Sequence, residues 1–282
     1  MTLVTDADIQ AYRENGAIVL RGVFRDWIER LRAGVEYNIT HPGTYGKLYT
    51  KPGNPGRFFG DYCNWDRIPE YRDFLFDSPA AQIAARLMES TGARLFHEHV
   101  LVKEPGTLEA TPWHQDQPYY CVDGWQVCSL WIPLDAVPKA TCPEYVAGSH
   151  RWGRWFMPRR FTGADFNHTD ARLEATPDID AQRDAYQILS WDLEPGDALA
   201  FHFMTLHGAP ANRTELRRRG FAARWLGDDA VFAQRSGDIS PPFPGLEKKL
   251  RVGGPLDSEE FPLVWPRLSP YPLPEGEGNQ AQ

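Results

Sequence analysis

Of all its stretches, Thr111-Pro112-Trp113-His114-Gln115-Asp116 most restricts what this chain can become. On an extended strand, residues two apart project to the same face, so His114 and Asp116 would present an imidazole and a carboxylate side by side. Such a pair by itself arises often by chance, as the polar face of an ordinary strand. A distant histidine changes its meaning. His207-Gly208 follows a turn signal, Glu194-Pro195-Gly196-Asp197, and a run over 198–206 that reads as one strand leading into His207. If the fold returns His207 to the first pair, two imidazoles and one carboxylate form a facial triad. That is the ligand set of non-haem Fe(II) oxygenases, and it leaves coordination positions open. The chain must therefore join two strands that are remote in sequence.

Period-two patterns supply the strands. Over 94–103, alternation puts His97, His99, Leu101 and Lys103 on one face and Phe96, Glu98, Val100 and Val102 on the other. Over 126–134, Val127, Ser129, Trp131 and Pro133 alternate with Cys128, Leu130 and Ile132. Over 218–225, Arg218, Gly220, Ala222 and Arg224 share a face opposite Arg219, Phe221, Ala223 and Trp225, and a slip of one residue would exchange them. His97 and His99 share a face and form a rival ligand pair, but that face lacks a carboxylate.

Helical signals gather near the N-terminus. Thr5 is placed to cap a helix over 6–14 that Asn15-Gly16 ends, before a short strand over 17–20. A second helix is expected over 27–37, and a third runs to 89 after Asp77-Ser78-Pro79, with Ala80, Ile83, Ala84 and Leu87 as its stripe. Residues 40–70, rich in Gly, Pro and aromatics, read as a loop over a barrel mouth. The pattern predicts a mainly β fold with flanking helices, a jelly roll (double-stranded β-helix, cupin-like). One domain is expected over 1–282: a helical layer over 5–90, a barrel over 94–230 and a Pro-rich tail over 240–282.

Composition narrows the partners. A net charge of −8 disfavours nucleic acid. No apolar run is long enough for a membrane helix, and the N-terminal residues lack signal-peptide character, so a cytoplasmic protein is expected. Four cysteines without a Cys-x-x-Cys pair read as reduced thiols. Nothing in the sequence specifies an oligomeric state.

Four ordered motifs carry a resemblance: Trp113-His114-Gln115-Asp116; residues 143–153, which contain Gly148-Ser149-His150-Arg151-Trp152-Gly153; Glu194-Pro195-Gly196-Asp197 leading to His207-Gly208; and Arg218. From about residue 6 to 228 the chain resembles the phytanoyl-CoA dioxygenase-like branch of the Fe(II)/2-oxoglutarate-dependent oxygenases. The resemblance implies that His114, Asp116 and His207 bind Fe(II), that Arg218 binds the far carboxylate of 2-oxoglutarate, and that His99 and Trp131 lie beside it. It further implies use of O2, decarboxylation of 2-oxoglutarate to succinate, and hydroxylation or desaturation of a substrate. Related halogenases lack the carboxylate that Asp116 supplies. The chain departs from many relatives at Ala209, where they carry a hydroxyl.

The expected substrate is a small metabolite with an anionic group, under a lid built from 40–60 and 150–165. Lys103 and Arg224 on inward faces suggest cations for it, and Tyr119, Tyr120 and Trp125 suggest an aromatic wall. Arg151, Arg154, Arg159 and Arg160 fit the same idea, or a solvated surface balanced by nearby carboxylates. The alternative function is a metal-binding jelly roll without catalysis, in which Arg218 would have no role. A serine hydrolase is disfavoured, since Gly-x-Ser-x-Gly is absent.

Overall fold

The structure, a computed structural model, describes residues 3–160, 164 and 166–266. The expected tail lies outside the described residues from 267 onward. Helix α1 (Asp6–Asn15) begins with a reciprocal cap: the Asp8 N–H donates to the Thr5 hydroxyl and the Thr5 N–H to the Asp8 carboxylate. Gly16 ends it at φ 73°, a left-handed conformation that a Cβ would penalise. The Tyr12 hydroxyl donates to the Val127 carbonyl at 2.7 Å, which ties α1 to a sheet. Strand β1 (Ala17–Leu20) follows, then α2 (Ile28–Thr40), which buries Ile28, Leu31 and Val35 and continues past its expected end.

Residues 40–70 are not the single loop expected. They hold β2 (Lys47–Leu48), β3 (Phe58–Tyr62) and the start of α3 (Pro69–Asp77). Strand β3 is buried along its whole length, with Phe59 among the helices and Tyr62 facing a cleft. Burial on both faces leaves no polar alternation to read. Helix α4 (Ala80–Met88) buries the predicted stripe.

The barrel follows: β4 (Ala93–Lys103), β5 (Thr111–His114), β6 (Val122–Asp123), β7 (Val127–Pro133), β8 (Glu144–Val146), β9 (Trp155–Phe156), β10 (Leu173–Glu174), β11 (Ile188–Leu189), β12 (Ala198–Phe201), β13 (His207–Ala209), β14 (Arg218–Leu226) and β15 (Val231–Phe232), then α5 (Leu246–Lys249) and β16 (Leu263–Trp265). The large antiparallel sheet runs β1-β12-β7-β14-β4-β3-β2, with β16 also on β4; the small one runs β11-β8-β13-β5. Two facing antiparallel sheets with helices outside one of them are the jelly roll expected. Among the described residues no helix is long and apolar enough to cross a membrane.

Two strand readings need correction. The run 198–206 is not one strand: β12 ends at Phe201, a turn closes with the Thr205 N–H on the His202 carbonyl, and β13 starts in the other sheet. The crossing has His202 and Thr205 among apolar residues and no Gly or Pro, so no turn signal marks the break. On β4, Arg224 stands opposite His97 but Trp225 stands opposite Leu95, so the strand bulges at Phe96. Phe96 consequently leaves the helix-side core for a cluster with Tyr120 and Phe203.

The main core lies between the helices and the large sheet, where Leu31, Phe74, Ile83, Val100, Leu130, Phe221 and Trp225 meet. Phe74 and Phe221 are wholly buried, and burial of such a side chain contributes on the order of 1.5–3 kcal/mol. A second cluster, with Trp131, Tyr145, Phe201 and Ala222, fills the space between the sheets. There Gly220 has no room for a side chain, since a Cβ would come 2.4 Å from the Trp131 indole. Gly220→Ala should therefore cost about 1–3 kcal/mol of stability by urea unfolding. An unchanged midpoint would mean that Trp131 is not fixed in place.

Candidate metal centre

Pairing of β5 with β13 sets His114 directly opposite His207, with ring centroids 4.2 Å apart. Asp116 arrives differently from the same-face expectation. Strand β5 ends at His114, and Asp116 opens a single 3-10 turn over Gln117–Tyr119 with helical φ and ψ. Its N–H donates to the Phe203 carbonyl at 2.8 Å. Gln115 pins the corner: its amide nitrogen donates to the carbonyls of Met204 at 3.0 Å and Arg154 at 3.1 Å, and its oxygen accepts from the Phe156 N–H at 3.0 Å. A turn, and not the pleat of a strand, brings the carboxylate to the histidines.

Oδ1 of Asp116 lies 3.5 Å from His114 Nε2 and 3.8 Å from His207 Nε2. One ligand atom from each of the three buried residues lies within 4.8 Å of the others. Nδ1 of His114 faces the Pro112 carbonyl at 2.7 Å, and Nδ1 of His207 faces the Thr205 carbonyl at 2.9 Å. A carbonyl only accepts, so each Nδ1 carries the hydrogen and each Nε2 keeps its lone pair for the centre. Burial, and then the neighbouring His114, hold His207 down to about 3, so it stays neutral. Burial raises the Asp116 carboxyl, but Arg224 and the two imidazoles outweigh it and hold it well below the usual carboxylate range. Two imidazoles and one carboxylate anion fit a divalent transition metal with open positions.

One cavity joins this triad to Arg218, Lys103, His99, Trp131 and Ala209. Arg218 is buried and donates to the carbonyls of Thr141 and Pro210. Lys103 is buried too, with Nζ 3.2 Å from the Pro210 carbonyl and 4.6 Å from the Phe58 ring centre. Burial lowers both cations, Arg218 to about 10, and Arg218 lowers Lys103 further. Among the described residues neither forms a salt bridge, and Glu109 acts on Lys103 only at longer range, so this end of the cavity suits an anion. Arg219 points the other way, to Asp135 at 2.6 Å and Glu36 at 2.8 Å. The register that turns Arg218 inward is the one the structure adopts.

Of the groups expected at the substrate, Lys103, Tyr119 and Arg224 line the metal cavity, and Tyr119 and Tyr120 line the cleft beside it. Arg224 pairs neither with Asp228 nor with Asp229: its Nε lies 3.4 Å from Asp116 Oδ2. Lys103 lies beside Arg218, at the far end from Asp116. The Tyr119 hydroxyl donates to Asp116 Oδ1 at 2.5 Å. Tyr120 belongs to the core cluster around Phe96, and Trp125 is half-exposed and packs against His202 and His150. His99 lines the metal cavity, and burial, then Arg224, lower it to about 3.

A cleft of about 720 Å³ adjoins the triad on the side of Asp116. It shares His99 and Tyr119 with the metal cavity and adds Tyr62, His97 and Phe166. Both expected lid segments reach it, through Lys47, Leu48 and Tyr49 and through Arg159 and Arg160, while residues 161–163 and 165 lie outside the described residues. Most basic residues of 150–188 serve the surface: Arg154 meets Glu174, Arg172 meets Asp170, and Arg183 meets Glu144. Sequence reasoning missed Tyr62 because β3 was read as loop, and it missed Tyr145, whose ring stacks on His207 at 5.9 Å.

Residues 12–220 match the family model described as phytanoyl-CoA dioxygenase (PhyH). A Caenorhabditis elegans protein described as a probable phytanoyl-CoA dioxygenase is 24% identical over 174 residues, 60% of this chain. Only 51% of that relative is matched, so the chain spans about half its length. Among solved structures, the non-heme alpha ketoglutarate dependent carbocyclase SnoK from nogalamycin biosynthesis superposes with a TM-score of 0.71 at 23% identity, covering 93% of this chain and 96% of that one. EctD from S. alaskensis, solved with 2-oxoglutarate and 5-hydroxyectoine, gives a TM-score of 0.66 at 16% identity, covering 89% and 85%. These structures share the fold.

The triad makes a direct prediction. His114→Ala and His207→Ala should each abolish stoichiometric Fe(II) binding by the purified protein under anaerobic equilibrium dialysis. Unchanged iron content in both variants would refute the assignment.

Proposed function

Because the chain belongs to the phytanoyl-CoA dioxygenase family, we propose that it is an Fe(II)- and 2-oxoglutarate-dependent dioxygenase that hydroxylates a small metabolite. One observation carries the reading: a buried His-His-carboxylate set shares its cavity with two buried cations that form no salt bridge among the described residues. His114, Asp116 and His207 would hold the metal. Arg218 would take the far carboxylate of 2-oxoglutarate, because a guanidinium offers bidentate donors and keeps its charge. Lys103 adds a second donor there, which moves it from the expected substrate group to the co-substrate end. When bound, iron and 2-oxoglutarate supply the oxidising chemistry with O2, releasing succinate and CO2.

The chain supplies position and exclusion of water. Trp131, Leu101, Phe201 and Ala222 form apolar walls along the cavity. Gly220 lets the Trp131 indole lie flat against β14. The substrate would occupy the cleft next to Asp116, whose volume lies in the range of small-molecule sites. Its anionic group would sit at the rim, since the deep cations are committed elsewhere. Lys47 is exposed there, and Arg160 meets Asp238 at 2.8 Å. The apolar body would lie along Tyr49, Tyr62 and Phe166, with the oxidised carbon near Tyr119 and His99.

Two outcomes test this reading. Arg218→Ala removes a buried charged hydrogen-bond donor, which should cost roughly 2–5 kcal/mol of 2-oxoglutarate binding. The concentration needed for half-maximal succinate release should rise accordingly, while Arg219→Ala leaves it near the parent value. Equal effects would remove Arg218 from the co-substrate site. For the substrate, a metabolite panel of matched acids and neutral amides should stimulate succinate release in the acid members and much less in the amides. Equal stimulation by both would eliminate the anionic group.

A further inference from the structure

Both oxygens of Asp116 are engaged from outside the triad, by residues that are not ligands. The Tyr119 hydroxyl donates to Oδ1 at 2.5 Å, and Arg224 Nε approaches Oδ2 at 3.4 Å. Oδ1 is also the oxygen nearest the two imidazole nitrogens. A carboxylate oxygen has two lone-pair sites. With one of them on Tyr119, Oδ1 keeps one for the centre, while Oδ2 is drawn toward a guanidinium that is itself buried.

Resting on the dioxygenase reading, we propose that Tyr119 and Arg224 form a clamp that makes Asp116 a single-oxygen ligand. Tyr119 is thus a positioning residue for the metal centre, where the sequence suggested a substrate contact. The clamp preserves open coordination. A carboxylate free to rotate would offer both oxygens and occupy a position that a bidentate co-substrate and O2 require. Three contacts hold the clamp itself. The Tyr119 ring stacks on Phe166 at 5.3 Å, and its N–H returns to the Asp116 carbonyl at 3.3 Å. The Arg224 guanidinium lies over the Tyr120 ring, 5.8 Å from its centre. Asp116, Tyr119 and Tyr120 belong to one short segment, so the ligand and most of its support are placed by the same turn.

The test uses Co(II) alone, read by equilibrium dialysis and by visible absorption, on the full chain. Tyr119→Phe keeps the ring and loses only the hydroxyl. Loss of such a supporting hydrogen bond should weaken Co(II) binding 10–100-fold and alter the visible bands as the carboxylate turns. Arg224→Lys keeps the charge and removes the Nε donor, so it should also alter the bands, and it tests the clamp from the other oxygen should Tyr119→Phe fail to fold. Parent-like affinity and spectra in Tyr119→Phe, or in Arg224→Lys if only that variant folds, would overturn the clamp while leaving the metal centre intact. Failure of the parent protein itself to bind Co(II) would overturn the metal reading, and the clamp with it.

Discussion

A carboxylate held wholly away from water is costly unless its charge is matched, and the interior of this protein is arranged around one. Asp116 is fully buried. An isolated ion there would cost several kcal/mol even after relaxation. Arg224, Tyr119 and the edges of two imidazoles compensate it, and all of them reach it only because the two sheets close over the same point. Strand β14 brings Arg224, β13 brings His207, β5 brings His114, and the turn after β5 brings Tyr119. If any of these elements were misplaced, the carboxylate would be left poorly matched.

Strand β14 also separates two kinds of cation. Arg218 and Arg224 share a face six residues apart, which an extended strand spreads over roughly 20 Å. Arg224 ends beside a resident carboxylate, and Arg218 ends beside Lys103, with neither of these two in a salt bridge among the described residues. The first cation is satisfied by the protein, and the second pair is poised for an anion from solution. This division explains why two inward arginines do not imply two anionic ligands. It also gives the cavity a direction: the His-His-carboxylate set near the middle, Arg218 and Lys103 at one end, and the aromatic cleft beyond Tyr119.

The sequence carried much of this, for definite physical reasons. Period-two alternation in 94–103, 126–134 and 218–225 survives because each strand has helices on one face and a cavity on the other, so its two faces differ in chemistry. That asymmetry placed Arg218, Trp131 and His99 inward and Arg219 outward. The identities of the three metal ligands were legible because donor chemistry is written in residue type. Strand β3 was illegible because both of its faces are buried, and the break at 202–206 because the crossing between sheets carries no Gly or Pro to signal a turn.

What the chain alone determined, then, is its strands, their inward faces and the donors it can offer, since these depend on local periodicity and on the chemistry of single side chains. Partnership was decided only by the tertiary structure. A bulge at Phe96 turned one side chain from one core to another, a turn at Gln115 delivered Asp116 in place of the strand, and sheet closure gave Arg224 to Asp116 and Lys103 to Arg218. Which charge meets which depends on distances between segments remote in sequence, and only the closed barrel sets those distances.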